Sequence, residues 1–190
     1  KAQIDRYLQN PGRAIQTVAE SSFDAWVKFY RQDENSNHAG TSYYNKGCLV
    51  ALCLDLGLRL RGSSLDALMQ KLYANAQQGI QVHERTIFEL CKELTGDDWS
   101  EQIHHLINTT DELPLDQLLP EFGIDYQLKQ DKYLPFGLKL ADKPEGVLVQ
   151  AAHREGSAAK AGLSAHDVII AIDGLKATVK SLERYAKQDA

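Results

Sequence analysis

The sequence predicts an all-α helical bundle over residues 1–119, followed by a smaller unit of mixed strands and helices over residues 120–190. Three observations support this division. The run Cys48-Leu49-Val50-Ala51-Leu52-Cys53-Leu54-Asp55-Leu56 is apolar on nearly every side of a helical wheel, as a helix buried at the centre of a core is. Several further helical patterns surround it, joined by short loops, which is the signature of a bundle. At Phe122 the pattern changes from helical spacing to alternation, the period of a half-buried strand. A chain of 190 residues has room for one large or two small domains, and a hydrophobic content of 43% is enough for a packed core.

Residues Ile4 to Leu8 read as the tail of a helix, and Asn10-Pro11-Gly12-Arg13 as a turn. Arg13 is either a surface residue or an anchor near a cleft. Phe23, Trp26, Val27 and Tyr30 fall at helical spacing, so a helix is expected from about Ser22 to Arg31 with this aromatic stripe in the core. The polar stretch from Asp33 to Thr41, with Gly40, forms a loop. The central helix is expected from about Ser42 to Arg61, ending at Gly62. Asp55 inside it needs a partner, and Arg59, four residues on along the same face, supplies one as a structural pair. Ser64 caps a helix from Leu65 to about Gln77, which Gly79 ends. Gln81-Val82-His83-Glu84 opens the next, with Ile87, Phe88, Cys91 and Leu94 on one face and its end at Gly96. Trp99 to Ile107 and Leu115 to Leu119 complete the helical half.

In the second half, Ile124 to Leu128, Phe136 to Leu140 and Val147 to Val149 read as strands, with Pro144-Glu145-Gly146 turning between the last two. The small, alanine-rich stretch from Gly156 to Gly162 suits a short helix. Val168 to Ile172 is expected as a buried strand ended by Asp173-Gly174, and Thr178 to Lys187 as a helix.

The net charge of −5, with mixed signs throughout, argues against nucleic acid or an anionic membrane as partner. No apolar run reaches the roughly 18 residues that a membrane span needs. Cys48 and Cys53 lie in the apolar helix and Cys91 in another helical pattern. Buried free thiols are expected, and a reducing, cytoplasmic setting fits them. The first residue is Lys1 rather than Met, which reads as a piece cut from a longer protein.

The chemistry-bearing stretch is Ser42-Tyr43-Tyr44-Asn45-Lys46-Gly47, just ahead of the apolar helix. Backbone N–H groups are unpaired at a helix start, and polar side chains there can point into a cleft. A phenol so placed can donate a hydrogen bond to an oxyanion; equally, Tyr43 and Tyr44 can be ordinary aromatics at a core edge. Lys46 is read as one half of a structural pair. No His-Glu-x-x-His zinc motif occurs: His83-Glu84 begins one, but Ile87 stands four residues after His83. His104 and His105 are adjacent on a helix and point in different directions. The six histidines are read as structural, and no base is evident that would activate a cysteine nucleophile.

The ordered set Ser22-Phe23-Asp24-Ala25-Trp26, Asp33-Glu34-Asn35-Ser36, Tyr44-Asn45-Lys46-Gly47, Leu54-Asp55-Leu56-Gly57-Leu58-Arg59 and Ser64-Leu65-Asp66-Ala67-Leu68-Met69 resembles the glycyl aminopeptidase family of PDZ-containing zinc metallopeptidases. The resemblance implies that Tyr44, with Tyr43 as the alternative phenol, stabilises the tetrahedral intermediate formed at zinc. It further implies that the zinc ligands lie upstream of Lys1, with zinc as cofactor of the full-length parent and none in this chain. Peptides with a small first residue would be the substrates. Leu134-Pro135-Phe136-Gly137-Leu138 is similar to the loop of a PDZ domain whose backbone N–H groups hold a peptide carboxylate. Gly156 to Leu163 and His166 to Gly174 are similar to the segments that follow it. The usual last strand is missing, so the PDZ-like unit reads as truncated, with an edge open to a peptide or to another copy of the chain.

Two functions follow from these readings. One is the C-terminal portion of a zinc aminopeptidase, inactive alone; the alternative is a non-enzymatic peptide-binding or scaffold protein.

Overall fold

In the computed structural model the described residues are 1–33, 36–127 and 135–188. They are mostly helical, with a small antiparallel sheet region. The chain forms two compact units. Lys1–Tyr30 and Gly40–Leu128 make the first; Arg31–Ala39 and Lys129–Ala190 make the second. Among the described residues no helix is long and apolar enough to cross a membrane.

The first unit opens with α1 (Ala2–Leu8), a 3-10 turn over Pro11–Ala14, and α2 (Val18–Phe23). After α3 (Ser36–Ala39), a part of the second unit, come α4 (Tyr43–Arg59), α5 (Leu65–Gln77), α6 (Thr86–Thr95), α7 (Ser100–Asn108) and α8 (Leu115–Leu118). The 17-residue α4 is the axis of this unit. It sends Leu49, Cys53 and Leu56 into a cluster with Tyr7, Leu106, Leu113, Leu115 and Leu119. It sends Leu54 and Leu58 into a second cluster with Leu68, Leu90, Cys91, Trp99 and Ile103. This two-sided burial is why its apolar residues do not keep to one stripe. Fully burying each such leucine contributes roughly 1.5–3 kcal/mol. Gly57 lets the Trp99 ring approach the helix, since a Cβ there would lie 3.0 Å from it.

Helix termini follow the sequence. Ser64 caps α5 by accepting from the Ala67 N–H at 3.1 Å, and Gly96 ends α6 in the left-handed conformation. Asp55 pairs with Arg59 at 2.8 Å, and its other oxygen accepts the Leu65 N–H at 2.8 Å.

Four expectations for this unit are corrected. The helix expected from Ser22 to Arg31 begins at Val18, because Thr17 and Glu20 form a capping box there. It gives way after Asp24 to a wide turn over Ala25–Phe29, closed by a bond from the Tyr30 N–H to the Ala25 carbonyl at 2.9 Å. Its aromatic stripe is not core: Phe23 is 91% exposed and Trp26 80%. Residues 81–85 precede α6 rather than open it; Thr86 Oγ1 accepts the His83 N–H and the helix starts at Thr86. Residues 124–127 form no strand. Gly123 turns left-handed, the Ile124 N–H bonds back to the Leu119 carbonyl, and Tyr126 packs on the cluster around Tyr7. The alternation there records one aromatic docking into helices; Leu128 lies outside the described residues.

In the second unit a 3-10 turn over Pro135–Gly137 leads into β1 (Leu138–Lys143) and β2 (Gly146–Ala152). Then come α9 (Ser157–Lys160), β3 (Val168–Ile169), β4 (Ala171–Ile172), β5 (Leu175–Lys176) and α10 (Val179–Gln188). The sheet order is β1-β2-β3, antiparallel throughout, with Leu138 opposite Ala152 and an irregularity between Lys139 and Leu140. β4 and β5 form a separate hairpin. The buried strand expected over 168–172 is instead two short pieces, with Ile170 68% exposed between them. Its carbonyl accepts the Ala177 N–H rather than continuing the ladder, and Asp173 and Gly174 both take positive φ, closing a tight hairpin. Within this unit His38 Nε2 bonds the Ala152 carbonyl at 2.9 Å, tying α3 to β2.

Candidate functional site

The start of α4 is held by a web of polar contacts. Ser42 caps it, accepting the Asn45 N–H at 3.2 Å. Asn45 is buried and its amide donates to the Gln3 carbonyl at 3.0 Å and to Gln3 Oε1 at 2.8 Å. The segment leading in is pinned as well. Ser21 Oγ donates to the Thr41 carbonyl, the Thr41 N–H donates to Gln16 Oε1, and Asn10 Nδ2 donates to the Gly40 carbonyl. Gly12 and Gly40 cross so closely that a Cβ on Gly12 would lie 2.0 Å from the Gly40 oxygen. These side chains are small or amide-bearing because each must satisfy loop backbone inside a core.

Lys46 is fully buried. Its ammonium lies 3.4 Å from the Thr109 carbonyl and 6.0 Å from the centre of the Tyr7 ring. The expected structural pair therefore has a carbonyl, not a carboxylate, as its hydrogen-bonded member. Burial pushes the Lys46 ammonium below its ordinary range, against the opposing pull of Glu112 and Asp111. Arg13 pairs with Glu112 at 2.9 Å, and the same carboxylate accepts from Tyr7 Oη at 3.1 Å. Arg13 is thus an anchor of the helical core.

On this platform sit three phenols. Tyr44 is 59% exposed, Tyr43 half-buried, and Tyr30 reaches both from the wide turn. Tyr30 Oη lies 3.0 Å from Tyr43 Oη and 2.9 Å from Tyr44 Oη. The rings support one another: Tyr43 and Tyr44 centroids are 4.3 Å apart, and Phe29 stands edge-on to Tyr43 at 5.2 Å. Hydrogen bonds from Tyr30 and then Tyr43 hold the Tyr44 phenol below the ordinary tyrosine range. The same contacts raise Tyr43, through Tyr30 first and Tyr44 second. Such a cluster can present an acidified O–H to an anionic oxygen. Tyr30 escaped the sequence reading, which placed it in a core stripe; it lies 13 and 14 residues from its partners. Only the wide turn over Ala25–Phe29 shows why it swings to them, and no local pattern announces that turn.

The remaining residues fall elsewhere. Leu134 lies outside the described residues. Pro135 begins the short turn before β1; Phe136 has φ 57° and is half-buried, Gly137 is left-handed, and Leu138 is buried. A Cβ on Gly137 would lie 2.7 Å from the Gly156 Cα, so this loop passes against the start of α9 by a glycine-to-glycine crossing. Among the described residues no three His, Cys, Asp or Glu side chains come together as a metal site. His105 faces Asp111 at 3.6 Å on the surface. Burial pushes the thiols of Cys53 and Cys91 up to about 12 and about 11, which makes them inert. Cys48 is exposed, contrary to expectation, because it lies between the two faces that α4 buries.

Residues 1–50, which carry all three phenols, match the family model of the M61 glycyl aminopeptidase. A solved aminopeptidase N family protein from Idiomarina loihiensis is 34% identical, with a TM-score of 0.84, over 98% of this chain. The chain spans 35% of the length of that protein. No curated protein sequence matches the chain.

Proposed function

We propose that this chain, a relative of the M61 glycyl aminopeptidases, is the part of a larger aminopeptidase that brings a phenolic donor to the carbonyl under attack. The observation that carries the reading is the exposed Tyr44 hydroxyl, polarised by Tyr30 and mounted on the pinned first turn of α4. When a peptide carbonyl becomes tetrahedral, charge gathers on its oxygen. A fixed O–H aimed at that oxygen costs no reorganisation as the charge appears. Zinc is the cofactor proposed for the longer protein. The described residues of this chain do not make a metal site, so its own contribution is hydrogen-bond donation and positioning. Glycyl or other small-residue peptides are the proposed substrates.

The test is hydrolysis of a glycyl aminopeptidase substrate by the longer protein that contains this chain, with Tyr44→Phe beside it. Turnover is expected to fall by ~10²-fold or more, the scale of losing an oxyanion donor. The 190-residue chain by itself is expected to give none. Turnover of Tyr44→Phe within a few-fold of the parent removes Tyr44 from the chemistry.

A second reading concerns the second unit and rests on a different observation. Among the described residues β1 is an edge of its three-stranded sheet, and a cavity of about 690 Å³ is lined by Phe136, Leu138, Ile169, Leu182 and Tyr185. An extended peptide can add to such an edge, with an apolar side chain in the cavity and its terminal carboxylate on the Pro135–Gly137 turn, as in a PDZ domain. Fluorescence anisotropy with a peptide ending in an apolar residue checks this. A free C-terminus is expected to bind at least ~10-fold tighter than its amide, since a charge-assisted bond is lost. Equal affinity for the two discards carboxylate capture.

A further inference from the structure

Phe23, Trp26 and Val27 face outward from α2 and the wide turn after it, at 91%, 80% and 66% exposure, and Tyr30 continues the strip at 49%. A surface helix normally turns such residues inward. Here the inward positions carry small side chains: Ser21 and Ala25 are buried. Ser21 Oγ donates to the Thr41 carbonyl, which locks this orientation. A half-turn of α2 would press a phenyl or indole ring into space that now holds a hydroxymethyl or a methyl group. The large residues are therefore held outside by the packing of the small ones.

The strip is continuous. The Trp26 ring lies 5.0 Å from the Tyr30 ring, and Tyr30 Oη lies 2.9 Å from Tyr44 Oη. Lys28 lies within it, but its ammonium is paired with Asp24. A whole aromatic side chain buries roughly 150–250 Å², so at these exposures the strip leaves on the order of 500 Å² of apolar surface open. Contiguous apolar patches of that size mark interaction sites, whereas exposed apolar residues scattered singly do not.

We propose that this strip is the docking surface for the portion of the longer protein that precedes Lys1. The proposal rests on the reading of the chain as part of a larger aminopeptidase and names the surface through which the two parts join.

Three observations select this occupant. The solved protein that matches 98% of this chain is matched over 35% of its own length, so most of a protein of that build lies outside the chain. The family match covers residues 1–50, which include the whole strip, and the chain runs on to residue 190 without extending it. So short a segment is too small for a peptidase unit, and the rest of that unit is assigned to the chain ahead of Lys1. The size of the strip agrees: one side of an interface between domains of a single chain measures roughly 300–750 Å². A stable dimer of separate chains needs about 800 Å² from each partner. Within one chain the effective concentration of the two surfaces is high, so a smaller apolar face suffices. The strip ends at Tyr30, which touches Tyr44, so the docked part borders the Tyr44 hydroxyl.

The experiment is hydroxyl-radical footprinting of the longer protein, read by mass spectrometry at Phe23 and Trp26. Oxidation of each residue in the native protein is compared with that of the same residue in peptides from its digest. Both residues are expected to be protected by about tenfold or more, the change from an exposed ring to one in the buried centre of an interface. Oxidation within about twofold of the peptides, as their exposure in this chain alone would give, overturns the proposal. The measurement is repeated across a range of protein concentrations. Protection that holds on dilution supports the intramolecular occupant; protection lost on dilution means that a second copy covers the strip, and also overturns the proposal. The turnover of Tyr44→Phe separates this test from the reading it rests on. Protected rings with turnover intact in Tyr44→Phe sink the role of Tyr44 and leave the docking surface standing. Freely oxidised rings with turnover lost in Tyr44→Phe do the reverse.

Discussion

The helical unit is closed around a single long helix, whereas the second unit keeps an apolar cavity open beside a sheet edge. In the first, α4 places leucines in two clusters on two sides and other helices cover both. In the second, β1, β2 and β3 form a narrow sheet, β4 and β5 stand apart as a hairpin, and the cavity of about 690 Å³ remains among Phe136, Leu138 and α10. The difference follows from where each element satisfies its backbone. A helix makes its hydrogen bonds internally and needs neighbours only for its side chains. A strand needs a partner on each side, so a narrow sheet ends in unpaired edges and a half-covered face. The helical unit therefore covers both faces of its central helix, and among the described residues the second unit leaves the outer edge of β1 without a further strand.

Core substitutions test the contrast with the largest expected effect. Leu58 is fully buried against Trp99, Leu68 and Cys91. Leu58→Ala is expected to destabilise the helical unit by ~2–5 kcal/mol, through lost transfer and the cavity left behind. Ile170, between the two short strands, is largely exposed, and Ile170→Ala is expected to change stability by no more than ~0.5 kcal/mol. Urea unfolding followed by circular dichroism measures both. Equal losses from the two would mean that the second unit is as closed as the first.

How much of this was legible in the sequence also divides between the units. The axis of the helical unit was readable because its cues are local: Ser42 before α4, Ser64 before α5, Gly96 after α6, and the Asp55–Arg59 spacing. The tyrosine pair was readable for the same reason, as it sits at a capped helix start. What failed depended on contacts distant in sequence. The alternation of Ile124 and Tyr126 looks like a strand, and only the docking of Tyr126 against the Tyr7 cluster shows why it is not one. The stripe of Phe23, Trp26 and Tyr30 has core spacing, yet the wide turn after Asp24 carries it to the surface. Lys46 reads as one half of a structural pair, but its burial and its carbonyl partner follow from the packing of α1 and the chain around Thr109, far along the sequence. Ile170 reads as the middle of a strand because its neighbours are apolar. Asp173 and Gly174 close the hairpin too soon for the ladder to continue.

A smaller effect than that of Leu58→Ala sharpens the comparison from within the helical unit, at the end of α4 opposite the phenols. Asp55 joins two helices: one oxygen accepts from Arg59 Nε and the other caps the first N–H of α5 at Leu65. Burial pushes its carboxyl up, but the Arg59 hydrogen bond, the Leu65 N–H and the Arg59 charge outweigh it and hold the group below its usual range. A carboxyl lowered in the folded state stabilises that state at every pH above its unfolded value of about 3.9, and the contribution is lost as pH falls through the lower folded value. Asp55→Asn keeps the shape but weakens both contacts. With Arg59 nearly half exposed, screening reduces the ion pair, and the expected cost at neutral pH is about 1 kcal/mol. Below the folded value both forms carry a neutral side chain at this position, so their stabilities should converge there. A constant difference across the acid range would show that Asp55 acts by shape alone, and that this end of α4 is held by packing in the way its tyrosine end is held by hydrogen bonds.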